Sequence, residues 1–211
     1  MTMRTRNKLV QGVGVNDADY EVYVYEVVNG KRKAVWTCPF YATWRDMLKR
    51  CYREKDLLKR PSYRGSEVCE EWLVFSVFRS WMVEQEWKDE NGKKLQLDKD
   101  LLSGSNRGKL YSPNTCLFVS KALNNFLTYG KSDNSGTPVG AFRRKGCKTF
   151  GASVCNPFTG EREYLGAFAT VQAAAEAYNG RKKELAAAYA EVVNDRRIKK
   201  ILLDFEVKRS V

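Results

Sequence analysis

The chain contains no histidine. This removes the side chain whose ordinary pKa best suits a general base near neutral pH, and it removes the common nitrogen ligand of zinc. Its six cysteines, at 38, 51, 69, 116, 147 and 155, form no C-x-x-C pair. A structural zinc is therefore not expected; only four distant thiols converging would build one. No apolar run approaches roughly 18 residues, and no secretory signal precedes the first structured segment. The expectation is a reduced, cytosolic protein with no membrane partner, its cysteines serving mostly as small core residues.

What is present points to a folded, basic protein. The 211 residues are 43% hydrophobic and 12% aromatic, enough for one medium domain or two small ones. The formal charge is +12, shared equally by the residues before and after Tyr129. Lys and Arg in such surplus release counterions from phosphates, so nucleic acid is the expected partner. A soluble protein with a merely solvated basic face is the plainer alternative.

Along the chain, YEVYVYEVVNGKRKAVWTC alternates, and Asn29-Gly30 signals a hairpin. YATWRDMLKRCYREKDLL spaces Trp44, Met47, Leu48, Cys51 and Tyr52 along one helix face. KRPSYRGSE breaks that pattern, and EEWLVFSVFRSWMVEQEW restarts it with Trp72, Phe75, Phe78, Trp81 and Met82. At helical spacing these aromatics read as core rather than as base-stacking platforms. TYGKSDNSGTP, residues 128–138, reads as a linker between domains 1–130 and 131–211. Beyond it VGAFRR, KTFGASVC and EREYLGAF alternate, and TVQAAAEAYNGRKKELAAAYAEVV forms an Ala-rich helix. Three strands with one helix across them is the natural packing. NDRRIKKILLDF then places Ile198, Ile201, Leu202 and Phe205 on one face. The expected fold class is α+β.

Chemistry concentrates in LQLDKDLLSGSNRGKLYSPNTCLFVSKALNNFL, residues 95–127. Its pattern is strand, loop, strand, helix. Hydrolysis of a phosphodiester needs a cation on the phosphate, a base for water and neutralisation of the transition state. Magnesium takes hard oxygens and keeps several waters, so one carboxylate and one amide can suffice. Asp98 closes the first strand and Asn124 lies on the helix, so a strand-to-helix return would bring them together as metal ligands. Asp100 is the rival ligand, and Asn125 points about 100° away from Asn124. A strand-end cap and an ordinary helix hydrogen bond are the plain alternatives for the pair.

The segment resembles the ββα-metal (His-Me finger, HNH) nuclease motif in a form common in bacteriophage homing-type endonucleases. GVGVNDADY, CPFYATWRDMLKRCY, PSYRGSEVCEEWLVFSVFRSWM and LDKDLL…YSPNTCLFVSKALN carry the likeness over most of residues 10 to 128. The resemblance implies metal binding by Asp98 and Asn124 and a bracing role for Asn114. It puts Lys99 where the family has its water-activating histidine. An unperturbed lysine is a poor base at neutral pH; Lys99 would need a lowered pKa, or would instead hold phosphate as a fixed cation. Tyr111 is the second candidate base, since a tyrosine serves where histidine is replaced in some nucleases of this superfamily. The alternative for Tyr111 is a turn tyrosine packed at the strand entry.

GAFRRKGCKTFGASVCNPFTGEREYLGAFATVQAAAEAYN resembles the plant ethylene-response-factor (Apetala-type) DNA-binding domain over residues 138 to 190. The likeness implies a three-stranded sheet laid in the major groove of double-stranded DNA. Phe150, Ala152 and Val154 would face the helix. Arg143, Arg144, Lys145, Lys148, Ser153, Arg162 and Tyr164 would serve DNA, with Cys155 where the family often has arginine. The combined expectation is a Mg²⁺- or Mn²⁺-dependent DNA endonuclease or nickase. A catalytically inactive DNA-binding protein on a nuclease scaffold, or an inhibitor of a host protein, are the alternatives.

Overall fold

The computed structural model describes residues 9–103, 108–128 and 137–204. The contacts divide the chain into two compact units, Met1–Phe118 and Val119–Val211. The linker expected at 128–138 suggests a boundary near 130; its residues 129–136 lie outside the described ones. The chain is α+β, as expected, and includes a three-stranded antiparallel sheet.

In the first unit, strands β1 (Tyr23–Val28) and β2 (Lys31–Thr37) pair antiparallel. Asn29 and Gly30 both have positive φ, 53° and 71°, as the two-residue turn matching strand twist requires. Helix α1 (Pro39–Tyr52) opens on proline, which lacks only an N–H the first turn cannot use. It buries Tyr41, Trp44, Met47, Leu48 and Cys51 along one face. The helical spacing over 41–58 suggests one element, but two are found, because Arg53 is extended before α2 (Glu54–Lys59). The break leaves the Tyr52 hydroxyl to accept from Val68 N at 3.0 Å, tying the end of α1 to β3 (Glu67–Val68).

The second amphipathic stretch also starts later than its spacing suggests. Glu70–Leu73 is a 3₁₀ turn, and α3 runs only over Phe75–Val83. The reason lies in the N-terminal segment. Val15 N donates to Leu73 O and Phe75 N donates to Val15 O, which takes backbone groups a continuous helix would use. Asp17 then caps the start of α3 by accepting from Ser76 N at 2.9 Å. Trp44, Phe75, Phe78 and Met82 are wholly buried, with Trp72 and Phe78 edge-to-face at 5.0 Å. Trp44 Nε1 donates to Trp72 O at 2.7 Å, which satisfies the one polar group of that buried ring. Gly14 is needed here, since a Cβ would lie 2.4 Å from Leu48 Cδ1.

Two further small pairings complete the unit. Strand β5 (Leu110–Tyr111) runs parallel to β3, and β4 (Gln96–Asp98) pairs with β6 (Leu117–Val119). Past the division, in the second unit, Ser120 caps α4 (Lys121–Leu127) by accepting from Leu123 N. Strand β4, strand β6 and helix α4 thus follow in the expected order.

In the second unit, β7 (Ala141–Arg143), β8 (Phe150–Cys155) and β9 (Arg162–Phe168) form the sheet, with β8 central. Thr170 caps α5 (Val171–Val192), and Asp195 caps α6 (Arg196–Leu203). Small residues let the sheet and α5 approach closely: Ala152 on β8 and Ala174 on α5 are fully buried. Gly140, at φ +85°, shows how closely, since a Cβ there would lie 2.1 Å from the Tyr178 ring. Ile198 and Leu202 of α6 are buried and Ile201 half-buried; Phe205 lies outside the described residues.

Candidate functional site

The acidic strand of the first unit is more occupied than its sequence suggests. Asp98 Oδ1 accepts from Asp100 N at 2.8 Å and Leu101 N at 2.9 Å, capping the 3₁₀ turn Leu101–Ser103. That is the strand-end cap. Its other oxygen, Oδ2, has no hydrogen-bond partner among the described residues. Lys99 is buried at 4% exposure. Its ammonium pairs with the Asp100 carboxylate, donates to Gly108 O at 2.9 Å and lies 5.7 Å from the Tyr111 ring centre. Asp100, the rival ligand, is therefore neutralised by its own neighbour.

Tyr111 corrects an expectation. A role as base requires a cation to lower its phenol. It is 1% exposed at the end of β5, and burial pushes the phenol strongly upward, with Arg50 only partly opposing. A phenol held this way does not take a proton from water near neutral pH. The turn tyrosine packed at a strand entry is the better description. Asn114 is exposed in the turn after β5. That turn is held by Thr115, whose hydroxyl accepts from Ser112 N at 3.0 Å and donates to Leu110 O at 2.7 Å.

Asp98, Lys99, Asp100 and Tyr111 thus gather within the first unit. Asn124 belongs to the second. It is half-buried on α4, and its side-chain oxygen accepts from the Thr128 hydroxyl at 3.3 Å. A magnesium ion can be held through one carboxylate when substrate phosphates and water supply the rest. Asp98 Oδ2 meets that minimum.

Sequence reasoning missed a basic recess beside this strand. It has a volume of about 210 Å³ and is lined by Asp46, Lys49, Arg50, Asp56, Arg60 and Tyr63. Arg50 Nη1 reaches Leu97 O at 3.5 Å, the residue before Asp98. Lys49 and Arg50 lie on the polar face of α1, whose apolar face alone was informative in the sequence.

In the second unit the cations on the β7–β8 connection are open to solvent. Arg143, Arg144, Lys145 and Lys148 are all exposed, and none pairs with a carboxylate among the described residues. Gly146, at φ +73°, turns that connection. Arg162 is exposed, and Tyr164 keeps 57% of its surface in solvent.

One residue differs from the expected face and one from the expected exposure. Ser153 lies on the expected side, paired with Tyr164, but is 8% exposed, and its hydroxyl accepts from Arg162 Nη1 at 3.3 Å. Arg143 pairs directly with Phe150 in the sheet register. Cross-strand partners share a face, so Arg143 lies on the Phe150, Ala152 and Val154 side while remaining exposed on an edge strand. The outward side carries Phe142, which covers Gly151, together with Tyr164 and Arg162. Glu163, beside Val154 on the helix side, pairs with Arg181 of α5 at 2.9 Å.

Among the described residues no helix is long and apolar enough to cross a membrane. Comparison of the chain with protein-family models, with curated proteins and with solved structures returns no match.

Proposed function

We propose that this protein binds double-stranded DNA through the three-stranded sheet of its second unit. One observation carries the reading: four exposed cations, Arg143, Arg144, Lys145 and Lys148, crowd one strand connection without acidic partners among the described residues. Left unneutralised, such a cluster raises a positive potential that phosphates lower by releasing counterions. Arg162 and Tyr164, on the outward side of the sheet, are the side chains for base edges, where arginine binds guanine and an aromatic ring packs on thymine methyl. The basic recess along α1 supplies a second set of phosphate contacts. The six free thiols suit a reduced compartment, a bacterial cytoplasm if the chain is phage-encoded.

Binding to a labelled duplex at low salt tests this. The chain binds, and Arg162→Ala and Tyr164→Ala change sequence preference more than overall affinity. An intact, folded chain that ignores duplex DNA at 50 mM salt, a concentration at which about four phosphate contacts hold firmly, would sink the reading.

A second reading adds metal-dependent cleavage by the first unit, as in the ββα-metal nucleases that residues 95–127 resemble. The observation favouring it is the open Asp98 Oδ2 next to the pinned Lys99 ammonium. Asp98 would hold Mg²⁺ or Mn²⁺, with water and substrate phosphate supplying the other ligands. When bound, the metal supplies Lewis-acid stabilisation of the phosphate. Lys99, fixed by Asp100, acts as a stationary cation rather than as a base. Supercoiled plasmid with Mg²⁺ or Mn²⁺ is the test: Asp98→Ala abolishes nicking and leaves duplex binding intact. Absence of any nicking by the wild-type chain from about pH 6 to 10, the range in which Lys and Tyr bases would come into play, leaves the DNA-binding reading alone.

A further inference from the structure

Strands β1 and β2 form a ribbon that stands clear of the first core. Residues 24–36 are exposed without interruption, on both faces and through the Asn29-Gly30 turn. The base is fastened: Val22 is buried, Cys38 N donates to Val22 O at 2.9 Å, and the Tyr23 ring meets Tyr41 edge-on at 5.3 Å. A two-stranded ribbon alone is at best marginally stable in water, so one that also shows apolar side chains on both faces calls for a partner. Cross-strand partners share a face. The register therefore puts Val24, Val28 and Trp36 on one face and Tyr23, Tyr25 and Val27 on the other. Split this way, neither face offers the roughly 800 Å² that a stable protein partner covers.

The charge of the ribbon names the partner. Lys31, Arg32 and Lys33 follow one another just after the turn, all exposed, and none pairs with a carboxylate among the described residues. Glu26 is the single acid of the two strands. Arg32 lies over the Tyr25 ring at 4.1 Å, which steadies its guanidinium. We infer that the β1–β2 ribbon enters the major groove of duplex DNA, as a contact additional to the sheet of the second unit. The inference rests on the reading of the protein as a duplex-DNA binder. The seven residues of β2 reach roughly 20 Å, and a groove about 12 Å wide admits a two-stranded ribbon. Lys31, Arg32 and Lys33 meet phosphates along the groove and release their counterions. Val24, Val28 and Trp36, on the face turned away from Tyr23 and the core, pack against base edges, where apolar side chains meet the thymine methyl.

Two readouts on the full chain test this: anisotropy of a labelled duplex across salt concentrations, and protection of guanine N7, a major-groove atom, from dimethyl sulfate. Changing Lys31, Arg32 and Lys33 to threonine, which keeps strand propensity, makes the slope of log affinity against log salt shallower by about 2–3. It also uncovers guanines that the wild type protects. Changing Lys183, Arg196 and Lys200, exposed on the helices of the second unit, to alanine removes the same charge and leaves slope and protection as they were. Should the threonines disturb the hairpin, Lys33→Met alone makes the slope shallower by about 1. If the wild type binds duplex and the ribbon variants match it in both readouts, or the control variant loses as much, the ribbon inference is overturned and the DNA reading stands. A wild-type chain that ignores duplex DNA overturns both. The chain without DNA sediments as a monomer; a dimer that the threonine variant dissociates would overturn the inference in favour of a second copy of the chain on the ribbon.

Discussion

The two units solve the problem of a small core in opposite ways. The first has short elements and many connections, and fills the space between them with large rings: Trp44, Trp72, Phe75, Phe78 and Tyr41. The second lays one long helix on a three-stranded sheet and buries small residues, Ala152 on the sheet and Ala174, Ala186 and Ala190 along the helix. Regular elements can approach closely, so small side chains suffice. Irregular ones cannot, so bulk must bridge the gaps. The contrast extends to function. The first unit buries its candidate chemistry, with Lys99 and Tyr111 inside. The second displays its cations on a turn.

The contrast can be broken most sharply in the first core. Trp44→Ala removes a wholly buried ring and the donor to Trp72 O, and destabilises the first unit by about 3–5 kcal/mol. All five tryptophans lie in the first unit, so tryptophan fluorescence during denaturation follows that unit alone. The midpoint falls, while the far-ultraviolet helix signal of α5 survives to higher denaturant. The converse substitution is Ala174→Leu, which overfills the contact between sheet and α5 and costs about 1–3 kcal/mol. Its loss shows in the helix signal and leaves the tryptophan transition in place.

Alkaline pH separates the units by sign. Burial pushes the Cys51 and Cys116 thiols of the first unit from 9.0 up to about 12. Their unfolded forms ionise first, so the stability they contribute is present below pH 9 and is lost as pH rises toward 12. Lys182 in the second unit is shifted down from 10.5 to about 8. Its unfolded form holds the proton longer, so its contribution to stability grows as pH rises from 8 toward 10.5. Above pH 10 the raised Tyr178 begins to oppose it. Denaturation followed by tryptophan fluorescence and by helix signal between pH 8 and 10 shows the two midpoints moving in opposite directions. The smallest effect is at a cap: Ser120→Ala removes the acceptor for Leu123 N and lowers stability by about 1 kcal/mol, measured by the same denaturation.

Elements set by local rules were legible in the sequence. Asn29-Gly30 named its hairpin, and the three alternating segments after residue 138 became β7, β8 and β9. What was not legible depends on partners distant in the chain. The break at Val74 arises from contacts with Val15, and the break at Arg53 sits beside the tie from Tyr52 to Val68. The two-residue strands β3 and β5 gain meaning only by pairing across more than forty residues. Burial of Tyr111 follows from that pairing, so its upward shift could not be read from a YSP turn. The face of Arg143 could not be read from alternation alone, which gives a face only once register is known; the burial of Ser153 needs its neighbours as well. The recess at Arg50 lies on the polar side of a helix recognised by its apolar side.

The most direct test of the central claim is the salt dependence of duplex binding. Affinity is measured by fluorescence anisotropy across salt concentrations for the wild-type chain and for a variant with Arg143, Arg144, Lys145 and Lys148 all changed to alanine. If these four cations meet phosphates, the slope of log affinity against log salt becomes shallower by about 3–4 in the variant. Equal slopes for the two proteins would contradict DNA binding through this sheet.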